Sequence, residues 1–287
     1  MLVFKKGVGA MKSIVIIKKG EDGRSLAHEA MKEMNAAQDL SGKVLIKPNI
    51  TTNMPASTGV TTHASIVEGV LQYLREEGDF ELIIAEGGGC DISKAFDELS
   101  FSEVARKYDA RLVDLNMDSS VTVQVEDPLS QKEFPIAETV LECDCIVNVP
   151  CLKVHGWKMQ VTLCMKNMMG FITPSSYRGS IMHTDFDRRM IDLLKVVKPD
   201  VNIIDGLVGH ERGEIIGEPV GTKVIIASKD FVAADAVGAA VMGFSEGEVG
   251  HISLAEALGL GKARLNEIEI KGEKIESVKK HFRKARP

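Results

Sequence analysis

Short β-branched runs alternate with helix-period segments along most of this chain, and that alternation constrains the fold more than any other feature. Ser13-Ile14-Val15-Ile16-Ile17 precedes a helical pattern over 25–35, and Val44-Leu45-Ile46-Lys47-Pro48 precedes one over 64–76. Glu81-Leu82-Ile83-Ile84-Ala85 precedes helices over 93–99 and 102–108, and Arg111-Leu112-Val113-Asp114 follows them. Gly-rich or polar connections stand at the strands' carboxyl ends, so consecutive strands are predicted to run parallel. Alternating residues over 121–125, a turn at Asp127-Pro128-Leu129-Ser130 and a second run over 133–136 predict an antiparallel hairpin, as an insertion or an edge. The winding resumes with Cys145-Ile146-Val147-Asn148-Val149, a helix over 188–197, strands at 201–205 and 224–228, and a helix over 232–242 whose Ala and Gly residues allow close approach to a sheet. The expected fold is α/β: a mostly parallel, doubly wound sheet flanked by helices, with a small antiparallel hairpin insertion.

At 287 residues the chain exceeds the usual ~100–200 per domain, but it has neither an internal repeat nor a Pro/Gly/Ser-rich spacer. One continuous domain over 13–272 is expected, after an N-terminal extension at 1–12 and before a basic C-terminal helix or tail at 273–287. The formal net charge of −6 opposes broad attraction to nucleic acid or to an anionic bilayer, so neither is an expected partner. No apolar run approaches the ~18–20 residues of a membrane span, and the N-terminus lacks the apolar segment of a signal peptide; a cytoplasmic location is expected. Cys90, Cys143, Cys145, Cys151 and Cys164 form an odd set, which argues for reduced thiols or ligands over a disulfide framework.

Polar residues gather where strands end. Lys47-Pro48-Asn49 follows a strand and precedes Thr51, Thr52, Thr58, Thr61 and Thr62, a setting for an oxyanion at a helix N-terminus; Thr61 or Thr62 also reads as a plain N-cap. Glu86-Gly87-Gly88-Gly89-Cys90-Asp91 permits close backbone approach but matches neither standard nucleotide loop, which leaves Glu86 as the residue of interest for metal or proton work. The densest stretch runs from Asn148 through Cys151, Lys153, His155, Trp157 and Lys158 to Lys166, Asn167 and Gly170, with Arg178 and His183 beyond. Lysines there suit contact with carboxylate or phosphate, and histidines supply proton transfer or a metal ligand. The spacing of Cys143, Cys145, Cys151 and Cys164 matches no cluster motif and is equally that of packed thiols. Asp205-Gly206 closes a strand, and 210–221 reads as a long charged loop of the kind that forms lids. Asp235 lies among small apolar residues, where it reads either as a buried carboxyl of raised pKa or as one engaged in capping or pairing.

Lys47-Pro48-Asn49 with its threonines, Glu86-Gly87-Gly88, the block from Asn148 to His155, Lys166-Asn167-Met168-Met169-Gly170, His183, Asp205-Gly206 and Asp235 together resemble the domain of unknown function 362 family, over about 14–260. The resemblance implies an origin among anaerobic bacteria and archaea. Many members append a ferredoxin-like domain with cluster-ligating cysteines; no such block follows here, so a separate ferredoxin-like protein is the partner it implies. A fainter likeness runs to the lactate-racemase family with its nickel-pincer cofactor, in which Lys153, His155, Lys166 and His183 would play comparable parts, although that family's Asp-x-Thr-Arg-Pro element is absent.

Two functions are carried forward. The first is an enzyme acting on a small anionic metabolite, with His155, His183, Lys166 and Glu86 as catalytic groups and Lys47, Asn49, Thr61, Thr62, Gly87, Gly88, Lys153, Asn167 and Asp205 binding the substrate. The second is a redox or carrier protein holding a divalent metal or an iron–sulfur cluster through His155, His183, Cys145, Cys151 or Cys164.

Overall fold

Successive residues of a strand face opposite sides of its sheet, so a run that is apolar at every position makes a strand covered on both faces. Val44-Leu45-Ile46, Leu82-Ile83-Ile84 and Ile225-Ile226-Ala227 meet that condition, and none of these side chains is more than 2% exposed. In the computed structural model, which describes residues 12–156 and 158–285, all three lie within one sheet. The strands in chain order are β1 (Ser13–Lys19), β2 (Lys43–Pro48), β3 (Glu81–Glu86), β4 (Arg111–Asp114), β5 (Ser120–Gln124), β6 (Glu133–Ala137), β7 (Cys145–Val149), β8 (Cys151–Val154), β9 (Val161–Thr162), β10 (Val201–Glu211), β11 (Glu218–Ser228) and β12 (Ile268–Gly272). Their order is β12-β1-β11-β10-β7-β2-β3-β4, with β8 also beside β10 and β9 beside β8. Pairing is antiparallel at β1/β11, β10/β11 and β8/β9 and parallel elsewhere in this sheet.

The two faces carry separate cores. Ile16, Val44, Ile46 and Ile84 pack with the helices Gly23–Glu33 and Ala64–Glu77, whereas Val15, Leu45 and Ile83 share the other face with the helices Phe186–Val196 and Phe231–Val241. The chain leaving β2 crosses to the first face, and the chain leaving the adjacent strand β7 reaches the short helix Cys164–Asn167 in the core of the second. Neighbouring strands whose connections part to opposite faces leave a crevice at their carboxyl ends, the usual ligand position in an open α/β sheet.

Helix starts follow their caps. Asp22 accepts from Ser25 N, Asp91 from Lys94 N, and Asp230 from Val232 N and Ala233 N, which sets the first residues one or two positions before those expected from apolar periodicity. The expected hairpin is present as the separate pair β5–β6, and the buried Asp192 carboxylate accepts from Leu129 N, Ser130 N and Gln131 N in its turn.

Strands β8, β9 and β12 add to the expected elements, and one segment differs from its reading. The segment read as a long loop is mostly strand: β10 does not end at Asp205 but runs to Glu211, and β11 begins at Glu218. Its glycines mark close approach, since a Cβ on Gly209 would stand 2.4 Å from the Phe282 ring, and Gly206 adjoins a bulge. The basic C-terminal stretch is anchored through its backbone and the buried Val278 and Phe282, while Lys279, Lys280, Arg283 and Lys284 stay exposed. Lys280 N and Phe282 N donate to Val241 O and Met242 O, Arg283 pairs with Glu211 and Glu218, and Lys284 pairs with Glu248. Residues 1–11, Trp157, Arg286 and Pro287 lie outside the described residues, and with them nearly all of the expected N-terminal extension. Among the described residues no helix is long and apolar enough to cross a membrane.

Asp235 links this framework to the crevice. From the helix Phe231–Val241 its carboxylate accepts from Cys164 N at 2.7 Å and Met165 N at 3.1 Å, fixing the start of the turn that carries Lys166 and Asn167. Burial raises its pKa from 3.8 to about 6. A carboxyl group raised in this way contributes stability that is fully present below about pH 4 and is lost as the pH rises through about 6. Asp235→Asn cannot titrate, so its unfolding free energy should gain on that of the natural protein by about 2 kcal/mol between pH 4 and pH 7. Urea unfolding of both proteins at the two pH values checks this; a difference that does not change with pH would refute it.

Candidate functional site

Lys47 is the fifth residue of a six-residue strand whose other side chains are chiefly aliphatic, and it is fully buried. Its Nζ donates to Glu86 Oε1 at 2.7 Å, Pro48 O at 3.2 Å and Asn167 Oδ1 at 3.3 Å. These acceptors match the three donors of an ammonium group. Burial pulls its pKa down, and the Glu86 charge opposes that pull. Glu86 ends the adjacent strand β3; its Oε1 also accepts from Gly87 N at 2.7 Å and its Oε2 from Ile50 N at 2.9 Å. Asn167 completes the group. Its Oδ1 accepts from Asn49 Nδ2 at 3.0 Å and its Nδ2 donates to Asn148 Oδ1 at 2.7 Å, while Asn148 in turn donates to Asn202 Oδ1 at 3.0 Å.

The glycines are dictated by this packing. A Cβ on Gly170 would lie 2.6 Å from Glu86 Oε1 and 2.7 Å from Lys47 Nζ, and one on Gly88 would lie 1.9 Å from Ile50 O. Arg178 braces the same wall by donating to Gly88 O, Gly170 O, Ile172 O and Asn116 Oδ1.

The crevice is a cleft of about 370 Å³, lined by Lys47, Asn49, Glu86, Gly87, Gly88, Lys166, Asn167, Arg178 and Glu214 among others. Lys166 Nζ donates to Glu214 Oε1 at 2.8 Å, and His155 Nε2 lies 2.8 Å from Glu214 Oε2. Gly156 N donates to His155 Nδ1 at 2.6 Å. A nitrogen that accepts carries no proton, so His155 is the tautomer whose Nε2–H donates to Glu214. Burial and the Lys166 charge push its pKa below the ordinary value against the pull of Glu214, in keeping with a neutral ring. Burial works against the Glu214 charge, yet Lys166, His155 and Lys153 hold its carboxyl well below the usual carboxylate range. Chemically, the cleft offers an ammonium at Lys166, a shielded proton between Lys47 and Glu86, and fixed amide groups.

Of the residues singled out in the sequence, Lys47, Asn49, Glu86, Gly87, Gly88, Lys166 and Asn167 line this cleft together. Others lie beneath its rim. Lys153 Nζ donates to Thr51 Oγ1 at 2.9 Å and Val60 O at 3.0 Å, and Thr61 Oγ1 donates to Thr52 O. Thr62 Oγ1 accepts from Asn49 N and donates to Val149 O, and Asp205 holds His63 at the start of the helix Ala64–Glu77 through both the backbone N and Nδ1. All four pin the segment between β2 and that helix. His183 is exposed in a separate depression of about 280 Å³ that it shares with His155.

The cysteines do not converge. Cys145 belongs to one core face and Cys164 to the other, and burial pushes the Cys151 thiol up to about 12 and Cys164 well above its ordinary value. Among the described residues no three His, Cys, Asp or Glu side chains are placed to hold a metal ion. Glu214, Asn148 and Arg178 were not assigned to a site from sequence. Asn148 and Arg178 lay in the dense stretch already noted, and Glu214 in the charged segment read as a loop.

Removing one partner of a buried ion pair costs about 3–5 kcal/mol, and Lys47→Met should lose about that much in urea unfolding. Pairing it with Glu86→Leu should not restore the natural stability, because Gly87 N and Ile50 N then lack acceptors at about 1–3 kcal/mol each. A double variant as stable as the natural protein would show that the pair holds nothing else in place.

A family model described as Domain of unknown function (DUF362) matches residues 44–240, a span that includes every cleft residue named above. A thylakoid-associated protein of Synechocystis sp. is 22% identical over 224 residues, covering 76% of this chain and 68% of that protein. The lactate racemase apoprotein from Thermoanaerobacterium thermosaccharolyticum aligns at a TM-score of 0.47 and 11% identity, covering 82% of this chain but 59% of its own, so this chain spans under two thirds of that one. The family match takes in well over half of the chain and the whole Lys47–Glu86–Asn167 arrangement, and the chain belongs to the domain of unknown function 362 family.

Proposed function

We propose that this protein is an enzyme acting on a small anionic metabolite, bound through a carboxylate or phosphate in the cleft at the carboxyl ends of β2, β3 and β7. The observation that carries the reading is the convergence of Lys47, Lys166 and Arg178 with buried amides and a glycine-walled backbone in one crevice of a net-acidic chain. At about 370 Å³ the cleft falls within the ~300–1,000 Å³ of small-molecule sites. Lys166 takes the anionic group, Asn49 and Asn167 orient the substrate, and the Lys47–Glu86 pair supplies or receives a proton shielded from water. Lys153, Thr61, Thr62 and Asp205 keep the cleft wall in place.

Isothermal titration with a panel of small carboxylates and phosphate monoesters tests the reading. One charge-assisted hydrogen bond is worth ~1.5–3 kcal/mol, so Lys166→Ala should weaken binding of the best ligand by roughly tenfold to a hundredfold or more. Its melting temperature should change little, because Glu214 keeps its hydrogen bond to His155 and sits on a turn whose Ile215 and Ile216 are exposed. His183→Ala should leave affinity within about twofold, since that side chain lies outside the cleft lining. Unchanged affinity in Lys166→Ala, or a collapse of its stability, would count against a ligand site here.

A further inference from the structure

The two carboxylates of the cleft are held in different ways. Glu86 ends a central strand and takes two backbone N–H donors besides Lys47, so it belongs to the framework. Glu214 sits on the six-residue turn between β10 and β11, with Gly213 before it and Gly217 ending the turn. Arg212 N ties the first residue of the turn to Arg283 O, but packing does not hold its middle down, since Ile216 is 89% exposed and Ile215 is 39% exposed. The hydrogen bonds that bring it to the cleft are those of Glu214 to the side chains of Lys166 and His155, both at 2.8 Å.

We infer that Glu214 fills a carboxylate-binding subsite formed by Lys166 Nζ and His155 Nε2–H, and that the substrate's carboxylate takes these two donors when the turn swings out. The inference rests on the small-anion reading above and narrows it to a carboxylate. Each of two donors meets one oxygen of a planar carboxylate, and the subsite presents one ammonium and one neutral imidazole, which suits a single negative charge better than a phosphate dianion. His155 is thereby a binding residue whose donor is covered by Glu214 until the turn opens. A tethered carboxylate competes with a free one at its effective concentration, typically millimolar for a short flexible tether, so removing it raises the apparent affinity for the free group.

The test is titration of the full chain with acetate and with inorganic phosphate, followed by calorimetry or ligand-observed NMR, for the natural protein, Glu214→Ala, Glu214→Gln and Lys166→Ala/Glu214→Ala. Glu214→Ala should bind acetate about tenfold or more tightly than the natural protein. Glu214→Gln, nearly isosteric and so the safer fold, should move in the same direction, phosphate should gain less, and Lys166→Ala/Glu214→Ala should lose the gain. Acetate affinity that stays level or falls in both single variants overturns the inference, and a phosphate gain equal to that for acetate overturns the assignment of class. If the natural protein binds small anions while Glu214→Ala shows no gain, the inference alone fails. If no variant binds any small anion, the functional reading fails with it.

Discussion

The buried contact between Lys47 and Glu86 is what the rest of the site is built around. Taking an ammonium and a carboxylate out of water costs several kcal/mol per ion even after relaxation, and their attraction offsets that only when the remaining donors and acceptors are satisfied. Lys47 therefore requires Asn167 Oδ1, which requires the helix Cys164–Asn167 to stand over the end of β2, which in turn requires Asp235 to hold the first N–H groups of that helix. Gly170 leaves room for the pair, since any side chain there would collide with both charged ends. Elements distant in sequence are thus committed to one geometry by the demand that two charges not be left unpaired.

That geometry also sets the local sign of charge. The chain as a whole carries −6, yet the cleft gathers Lys47, Lys166 and Arg178 against Glu86 and Glu214. The low-dielectric walls around such a pocket focus its field, so a net-acidic protein can still draw an anion to one place while repelling extended polyanions elsewhere. Arg178 contributes charge while four of its five N–H donors are committed to carbonyl oxygens and Asn116. Lys166 is different: its Nζ donates to Glu214, a side chain carried on a turn.

The fold was legible wherever one residue pattern excludes others. Aliphatic runs at 44–46 and 82–84 could be little but doubly covered strands, and the turn at 127–130 fixed the hairpin. Strands β10 and β11 run longer than sequence alone suggests because Gly206, Gly209 and Gly221 look like loop residues until Phe282, from the far end of the chain, packs against one of them. In the site, lysine and glutamate at strand ends were visible because charge is conspicuous in an aliphatic run. Asn148 was not, because an amide in a strand acquires meaning only when Asn167 and Asn202 meet it across 19 and 54 residues of sequence. Glu214 was hidden for a related reason. Nothing near it in sequence distinguishes it from Glu211 or Glu218, which serve Arg283 instead.

The contrast between the two cleft carboxylates shows what separates a framework charge from one that ligand can replace. Backbone donors are fixed by the fold, so a carboxylate that accepts from them, as Glu86 does from Gly87 and Ile50, cannot leave without orphaning main-chain N–H groups in a dry interior. Side-chain donors are indifferent to which carboxylate they meet. Lys166 and His155 would be satisfied equally by Glu214 or by an incoming group of the same shape and charge, and a turn with Ile216 in solvent loses little packing by moving. Sealing a cationic site with a tethered carboxylate keeps its donors paired while empty, avoiding the penalty of a desolvated, unpaired ammonium, at the cost of weakening every ligand by the same competition.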